Sequence, residues 1–302
     1  MCGIVGFLDK TGNHAGALGC TVLGMLDALG CRGPDSAGVA LYGAARDGQL
    51  VARVALASGN HFEDSAAKIV GAAEKFGAVT DSSITDCYLR FRITGEACIR
   101  QLMDAVESVE PGTEVVSLGR HLEIVKQVGS PENLEATYRV SGFRGTHGIG
   151  HTRLSTESRV DLSHSQPFWS HGYPDLAAAH NGHITNYHQL RRRYEQRGIR
   201  FYTENDSEII GMYLAGQLNA GRTLEEAFES MHRDLDGSFS CVVATDSELG
   251  FVKDQFALKP LLYAETSDFV AIATEEMALR NALPGDYAVR EAQAKESRIW
   301  RK

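Results

Sequence analysis

Cys2 is the residue of this 302-residue chain best placed to do chemistry by itself. It stands between an initiator methionine and an apolar run, Met-Cys-Gly-Ile-Val-Gly. Methionine excision, usual when residue 2 is small, leaves a thiol and a free α-amine on one residue. A thiol with a reference pKa of about 8.5 is only partly ionised near neutral pH, while an α-amine at roughly 7.7–8.0 keeps a neutral fraction able to accept a proton. Nucleophile and base then share one residue, and no catalytic histidine is needed. Gly3 leaves the backbone open to close approach by a substrate. Position alone also fits a cysteine that merely begins a strand.

The other cysteines are Cys20, Cys31, Cys87, Cys98 and Cys241, with no CxxC pair or compact Cys/His cluster. Structural zinc and iron–sulfur readings are therefore weak, and no metal site is expected. So sparse a set fits a reduced, cytoplasmic compartment. Hydrophobic residues make up 43% and charged residues 23%, an ordinary globular balance. The net charge of -9 disfavours a nucleic-acid or anionic-membrane surface. The most apolar early stretch, 16–30, is short and carries Asp27, so no membrane span is expected. No basic n-region precedes an apolar segment, so no secretory signal is expected.

The elements that must position Cys2 follow from periodicity. "CGIVGFL" reads as a buried strand, and Leu18, Val22, Leu26 and Leu29 recur on one helix face until Gly and Pro end it. "GVALYG" and "LVARVALA" read as a strand pair across "AARDGQ", and "EVVSLG" with "LEIVKQV" as another hairpin. Residues 62–78 and 96–108 read as helices, with a strand at 87–93 between them. "GTHGIGHTRLST" reads as a strand entering a polar loop; "DLAAAHNGHITN" reads as a strand, a sharp turn and a helix start. Helices are expected near 186–197, 206–219 and 223–234. Four strands then follow, "SFSCVVATD", "LGFVKD", "PLLYAE" and "FVAIAT". Short antiparallel hairpins argue against a plain Rossmann alternation.

Distant motifs join this frame. "CGIVG" at 2–6, "RGPDS" at 32–36, "GHTRLST" at 150–156, "QPF" at 166–168, "HNGHITN" at 180–186, "NDSE" at 205–208, "DGSF" at 236–239 and "KPL" at 259–261 occur in one order. In that order and over nearly the whole chain, the sequence resembles the class II glutamine amidotransferases. The resemblance implies an α+β, four-layer αββα N-terminal-nucleophile hydrolase fold with antiparallel central sheets. It implies one amidotransferase domain over 2–283, an α/β insertion at about 60–142 and a tail at 284–302.

It also implies roles. Cys2 attacks the side-chain amide of L-glutamine, forms a γ-glutamyl thioester and releases ammonia, and water then frees L-glutamate. Asn181 and the Gly182 N–H are the implied oxyanion hole, although "HNGH" alone is equally a tight turn. Arg153 matches the arginine that pairs with the substrate α-carboxylate, which suits its planar fork, and Asp206 matches the acid that receives the α-amino group. His151, Thr152 and Gly237 join the substrate-binding set, and Arg32 and Asp35 order a loop over it, although Asp35 is also suited to cap a turn. His180 and His183 read as structural histidines. The chain departs from the family at Ala257 and Lys259, where many members carry glycine and arginine. Lys259 keeps the charge without the fork.

Only a short stretch follows the strand-rich end, so an acceptor synthase is expected on another polypeptide. The chain resembles stand-alone amidotransferase subunits of glutamate synthase-like complexes, most of all that of N-methylglutamate synthase. That implies a glutamate synthase-like flavoprotein partner carrying FMN, further small subunits, and no cofactor in this chain. A stand-alone glutaminase and a non-catalytic regulatory subunit are the competing readings.

Overall fold

The N-terminal strand, Gly3–Asp9, is buried along its whole length and pairs antiparallel on both sides, with His147–Arg153 and with Phe269–Ala273. The computed structural model describes residues 2–57, 61–95, 97–155 and 161–302. Met1, whose removal is expected from the sequence, and Thr156, which closes the GHTRLST motif, lie outside them.

Seven strands form the first sheet, in the order Val289–Glu291, Leu262–Glu265, Phe269–Ala273, Gly3–Asp9, His147–Arg153, Ser36–Tyr42 and Leu122–Val128. Five form the second: Ser297–Arg301, Glu248–Lys253, Gly237–Ala244, Ala177–Ile184 and Phe168–Trp169. Ile4, Leu8, Ile149, Ala177, Ala179, Val242 and Phe251 belong to one apolar cluster that both sheets share. The helices Leu18–Ala28 and Glu276–Ala282 cover the other face of the first sheet. Asp206–Asn219 and Leu224–Asp234 cover that of the second. This gives the αββα layering with antiparallel sheets expected from the sequence.

Local chemistry accounts for the helix starts. Thr223 and Glu226 form a reciprocal capping box, and Asn205 caps Asp206–Asn219 by accepting a hydrogen bond from the Ser207 N–H at 3.0 Å. Ser207 to Ala215 are buried all round that helix, as its place between a sheet and other helices requires.

A third sheet, ordered Val79–Thr85, Tyr88–Thr94, Gln49–Ala55 and Glu114–Gly119, forms the insertion with the helices Phe62–Ala73 and Ile99–Glu107. Its membership corrects both early hairpin expectations. Ser36–Tyr42 and Gln49–Ala55 do not pair with each other, nor do Glu114–Gly119 and Leu122–Val128; in each case one strand joins the first sheet and the other the insertion sheet. The short polar links are crossings between sheets, because each strand finds a longer antiparallel partner elsewhere. The separate sheet thus spans Gln49 to Gly119, against the expected 60–142, and Pro131–Tyr138 packs with the first sheet. The expected tail, 284–302, supplies an edge strand to each main sheet.

The sharp turn expected in "HNGH" is also corrected. Strand pairing runs unbroken through Asn181↔Ser240, Gly182↔Phe239 and His183↔Ser238. Glycine makes this continuity feasible. Gly182 and Gly237 sit at φ of 135° and 132°, and a Cβ on either would lie 2.0 Å from a backbone oxygen of the facing strand. Among the described residues, no helix is long and apolar enough to cross a membrane.

Candidate active site

Strand register brings the motifs to the Cys2 end of the sandwich. Gly3 lies opposite Thr152, and Ser36 lies opposite Arg153, so the CGI, RGPDS and GHTR motifs share one sheet end. The facing sheet carries Asn181 and Gly182 on Ala177–Ile184.

Cys2 is half-buried, and its sulfur lies 3.4 Å from the Leu154 N–H and 3.6 Å from the Leu154 carbonyl. Its main-chain carbonyl accepts from Asn181 Nδ2 at 3.0 Å and from Arg32 Nε at 3.4 Å. Arg32 also pairs with Glu275. No local spacing marks Glu275; it is reached because Phe269–Ala273 lies beside Gly3–Asp9 and ends at this corner.

Asn181 is held from behind. His151 Nε2 lies 3.1 Å from Asn181 Oδ1, and the ring is fully buried. Burial pushes the His151 pKa down to about 3, so the ring is neutral and donates through Nε2. Among the described residues, its other nitrogen, Nδ1, is buried without a hydrogen-bond partner. Thr152 is equally buried, and its hydroxyl donates to the Leu29 carbonyl at 3.3 Å. Both residues, expected among the substrate contacts, have fully buried side chains.

Arg153 ends its strand at 5% exposure, with Nη2 3.5 Å from Ser155 Oγ. Asp35 fixes the adjoining loop. Its N–H donates to the Arg153 carbonyl at 3.0 Å, and its carboxylate accepts from the Ser155 N–H at 2.7 Å. Asp35 therefore braces the segment whose Leu154 meets the Cys2 sulfur.

Asp206 opens its helix, and its Oδ2 accepts from the Ile184 N–H at 2.8 Å. His183, largely exposed, lies 3.5 Å from the same oxygen, and His180 Nδ1 lies 3.9 Å from the other. His180 also meets Ser207 Oγ at 2.9 Å, while Gln166 bonds both the His180 main chain and Ser207. Gln166 thus ties the Asn181 strand to the Asp206 helix, a role its place in QPF does not reveal. Gly237 pairs with Ile184 at the same strand end. Among the described residues, no group of three or more His, Cys, Asp or Glu is arranged to hold a metal ion.

Ala257 adopts a left-handed φ of 53°, and its N–H donates to Asp254 Oδ1 at 3.1 Å. The conformation that glycine would supply is thus present despite the alanine. Lys259 contributes its carbonyl to this loop, accepting from Ser240 Oγ at 2.8 Å and from the buried Lys253 Nζ at 2.7 Å.

A family model for a glutamine amidotransferase domain matches residues 151–281. A protein named as an inferred glutamine amidotransferase from Methanothermobacter thermautotrophicus is 38% identical over 290 residues, 94% of this chain and 94% of its own. The glutamine amidotransferase-like protein GlxB of Rhizobium meliloti is 35% identical over 300 residues, 99% of this chain and 95% of its own. A solved glutamine phosphoribosylpyrophosphate amidotransferase from B. subtilis superposes with a TM-score of 0.62 at 20% identity. The match covers 99% of this chain but 47% of that one, and it speaks to the fold.

Proposed function

We propose that this chain, which belongs to the class II, N-terminal-nucleophile type of the glutamine amidotransferase family, hydrolyses L-glutamine through a γ-glutamyl thioester on Cys2. One observation carries the mechanism: the buried His151 holds Asn181 so that its amide N–H reaches the Cys2 main chain. Such a donor, fixed before substrate arrives, spends no reorganisation when charge develops.

In this reading, the Cys2 sulfur forms a bond to the glutamine amide carbon, and the carbonyl electron pair moves onto oxygen. Asn181 and the Gly182 N–H receive that charge. The tetrahedral species collapses by breaking the C–N bond. The thiol proton, carried by the Cys2 α-amine, passes to the departing nitrogen and ammonia leaves. Water attacks the thioester, glutamate departs, and the thiol is restored. Arg153 receives the substrate α-carboxylate and Asp206 the α-amino group. His151, Thr152, Arg32, Asp35 and Gly237 act as positioning residues.

The ammonia goes to a separate glutamate synthase-like flavoprotein, of the N-methylglutamate synthase type, with FMN carried by that partner. This part rests on the sequence resemblance. The test is a pull-down with the full chain, followed by a glutamine-dependent product assay. A flavoprotein that copurifies and forms product supports it; rapid glutamine turnover with no such partner replaces it with a stand-alone glutaminase. The nucleophile is tested separately by glutamate release and intact mass. Processed Cys2→Ala should fold and lose hydrolysis, and retained activity would overturn the thioester.

A further inference from the structure

The insertion sheet turns one face to a core and the other to charge. Alternation along Tyr88–Thr94 sends Leu89, Phe91 and Ile93 into the apolar cluster and Arg90 and Arg92 to the opposite side. Register sets Arg53 opposite Arg90. A cavity of about 350 Å³ opens against this basic face, lined by Arg53, Arg90, Arg92, Arg144, His121 and Glu123 among others.

The carboxylates there are already committed. Arg90 grips both Glu123 oxygens, Nε to Oε2 at 2.8 Å and Nη2 to Oε1 at 2.9 Å, and Arg53 Nε adds a third bond at 2.9 Å. Asp81 sits at a strand irregularity with φ of 56°, accepts from Arg90 Nη1 at 3.1 Å and lies 3.6 Å from Arg92 Nε. Arg92 is left over. It is 7% exposed, yet among the described residues its Nε and Nη1 have no hydrogen-bond partner. A buried guanidinium short of hydrogen bonds is costly; Arg90 and Arg46 add repulsion, which the nearby Glu123 and Asp81 carboxylates offset in part. Arg144 stands exposed at the rim.

A second cavity of about 250 Å³ shares Arg53, Glu123, Gly142 and Phe143 with the first. Its remaining wall includes Leu41, Val125, Tyr138 and Val140. A cationic lobe therefore adjoins an apolar, aromatic one. Leu41 and Gly43 lie at or just beyond the end of Ser36–Tyr42 remote from Arg153, roughly 17 Å of strand from Ser36.

We propose that these joined cavities bind a small phosphorylated molecule, with its phosphate on Arg92 and Arg144 and its flat, apolar body against Tyr138 and Phe143. Guanidinium forks match phosphate oxygens, and a dianion adds negative charge to a cavity lined by Arg53, Arg90, Arg92 and Arg144.

Calorimetric titration of the full chain without glutamine tests this, using AMP, adenosine, pyrophosphate and citrate as probes. AMP should bind saturably, adenosine and citrate at least about tenfold more weakly, and pyrophosphate measurably. Arg92→Gln and Arg144→Glu should each weaken AMP by about tenfold or more in protein that still melts cooperatively. Arg144 is exposed, so its variant remains decisive if Arg92→Gln misfolds. No saturable binding of AMP or pyrophosphate, or binding unchanged in Arg144→Glu, would leave these arginines as an ion network only. Citrate binding as tightly as AMP would overturn the phosphate class. Neither result bears on glutamine hydrolysis.

Discussion

His151 and Asn181, thirty residues apart and on different sheets, meet ring to amide at 3.1 Å. An amide oxygen only accepts, so the facing ring nitrogen carries the hydrogen and the Asn181 N–H₂ is turned toward Cys2. The histidine acts as a strut for a donor, with no need to move a proton itself.

That geometry predicts a kcat effect. His151→Leu should lower kcat by about 10- to 100-fold with little change in KM, as expected when a donor is misplaced and not removed. Asn181→Ala should cost about 100- to 1,000-fold. His151→Gln, which can still donate to Asn181, should recover part of the loss. Steady-state glutamate release checks this, and an unaltered kcat in His151→Leu would remove the strut role.

The proposed clamps predict the opposite split. Arg153→Lys keeps charge but loses the fork, and Asp206→Asn can still accept from the Ile184 N–H while losing charge. Each should raise KM for glutamine by about tenfold or more, with the smaller change in kcat. Kinetics with intact glutamine showing an unchanged KM would withdraw that residue's role.

Backbone approach predicts a contrast between glycines. Gly182→Ala or Gly237→Ala sets a Cβ against a backbone oxygen at left-handed φ, so each should lose at least roughly 2 kcal/mol of stability. Gly71 lies inside Phe62–Ala73, where a Cβ would meet nothing within 4 Å, so Gly71→Ala should stabilise by about 0.5–1 kcal/mol. Urea titration would show both signs.

Buried histidines set an acid limit. Burial holds His147 at about 4 and His151 and His171 at about 3, against about 6.5 when unfolded. Below pH 6.5 the unfolded chain therefore binds protons that the folded chain refuses, and stability falls as pH drops toward 4. The melting temperature should decline across that window. His147→Gln, retaining a donor for the Thr245 carbonyl, should flatten the decline, and an identical slope would contradict it.

Much of this was legible in the chain. Leu18, Val22 and Leu26 recur at helical spacing and do line one buried face. The hairpins joining Gly237–Ala244 to Glu248–Lys253 and Leu262–Glu265 to Phe269–Ala273 form where alternation and short turns place them. The failures have one cause. Alternation says that a segment is a strand but not which edge it meets, so Ser36–Tyr42 and Gln49–Ala55 read as a pair and part into different sheets. Asn-Gly signals a turn locally, yet facing backbones draw Asn181–Gly182 into a continuous strand.

By itself the sequence determined the candidate nucleophile, the ordered motifs and the amidotransferase family, because these depend on residue type and linear order. Only the tertiary structure decided that His151 orients Asn181, that Glu275 pairs with Arg32, that Asp35 braces Leu154, and that Arg92 lines a cavity with three other arginines. Those relations depend on long-range register and on what burial leaves unsatisfied, and neither quantity is local in the chain.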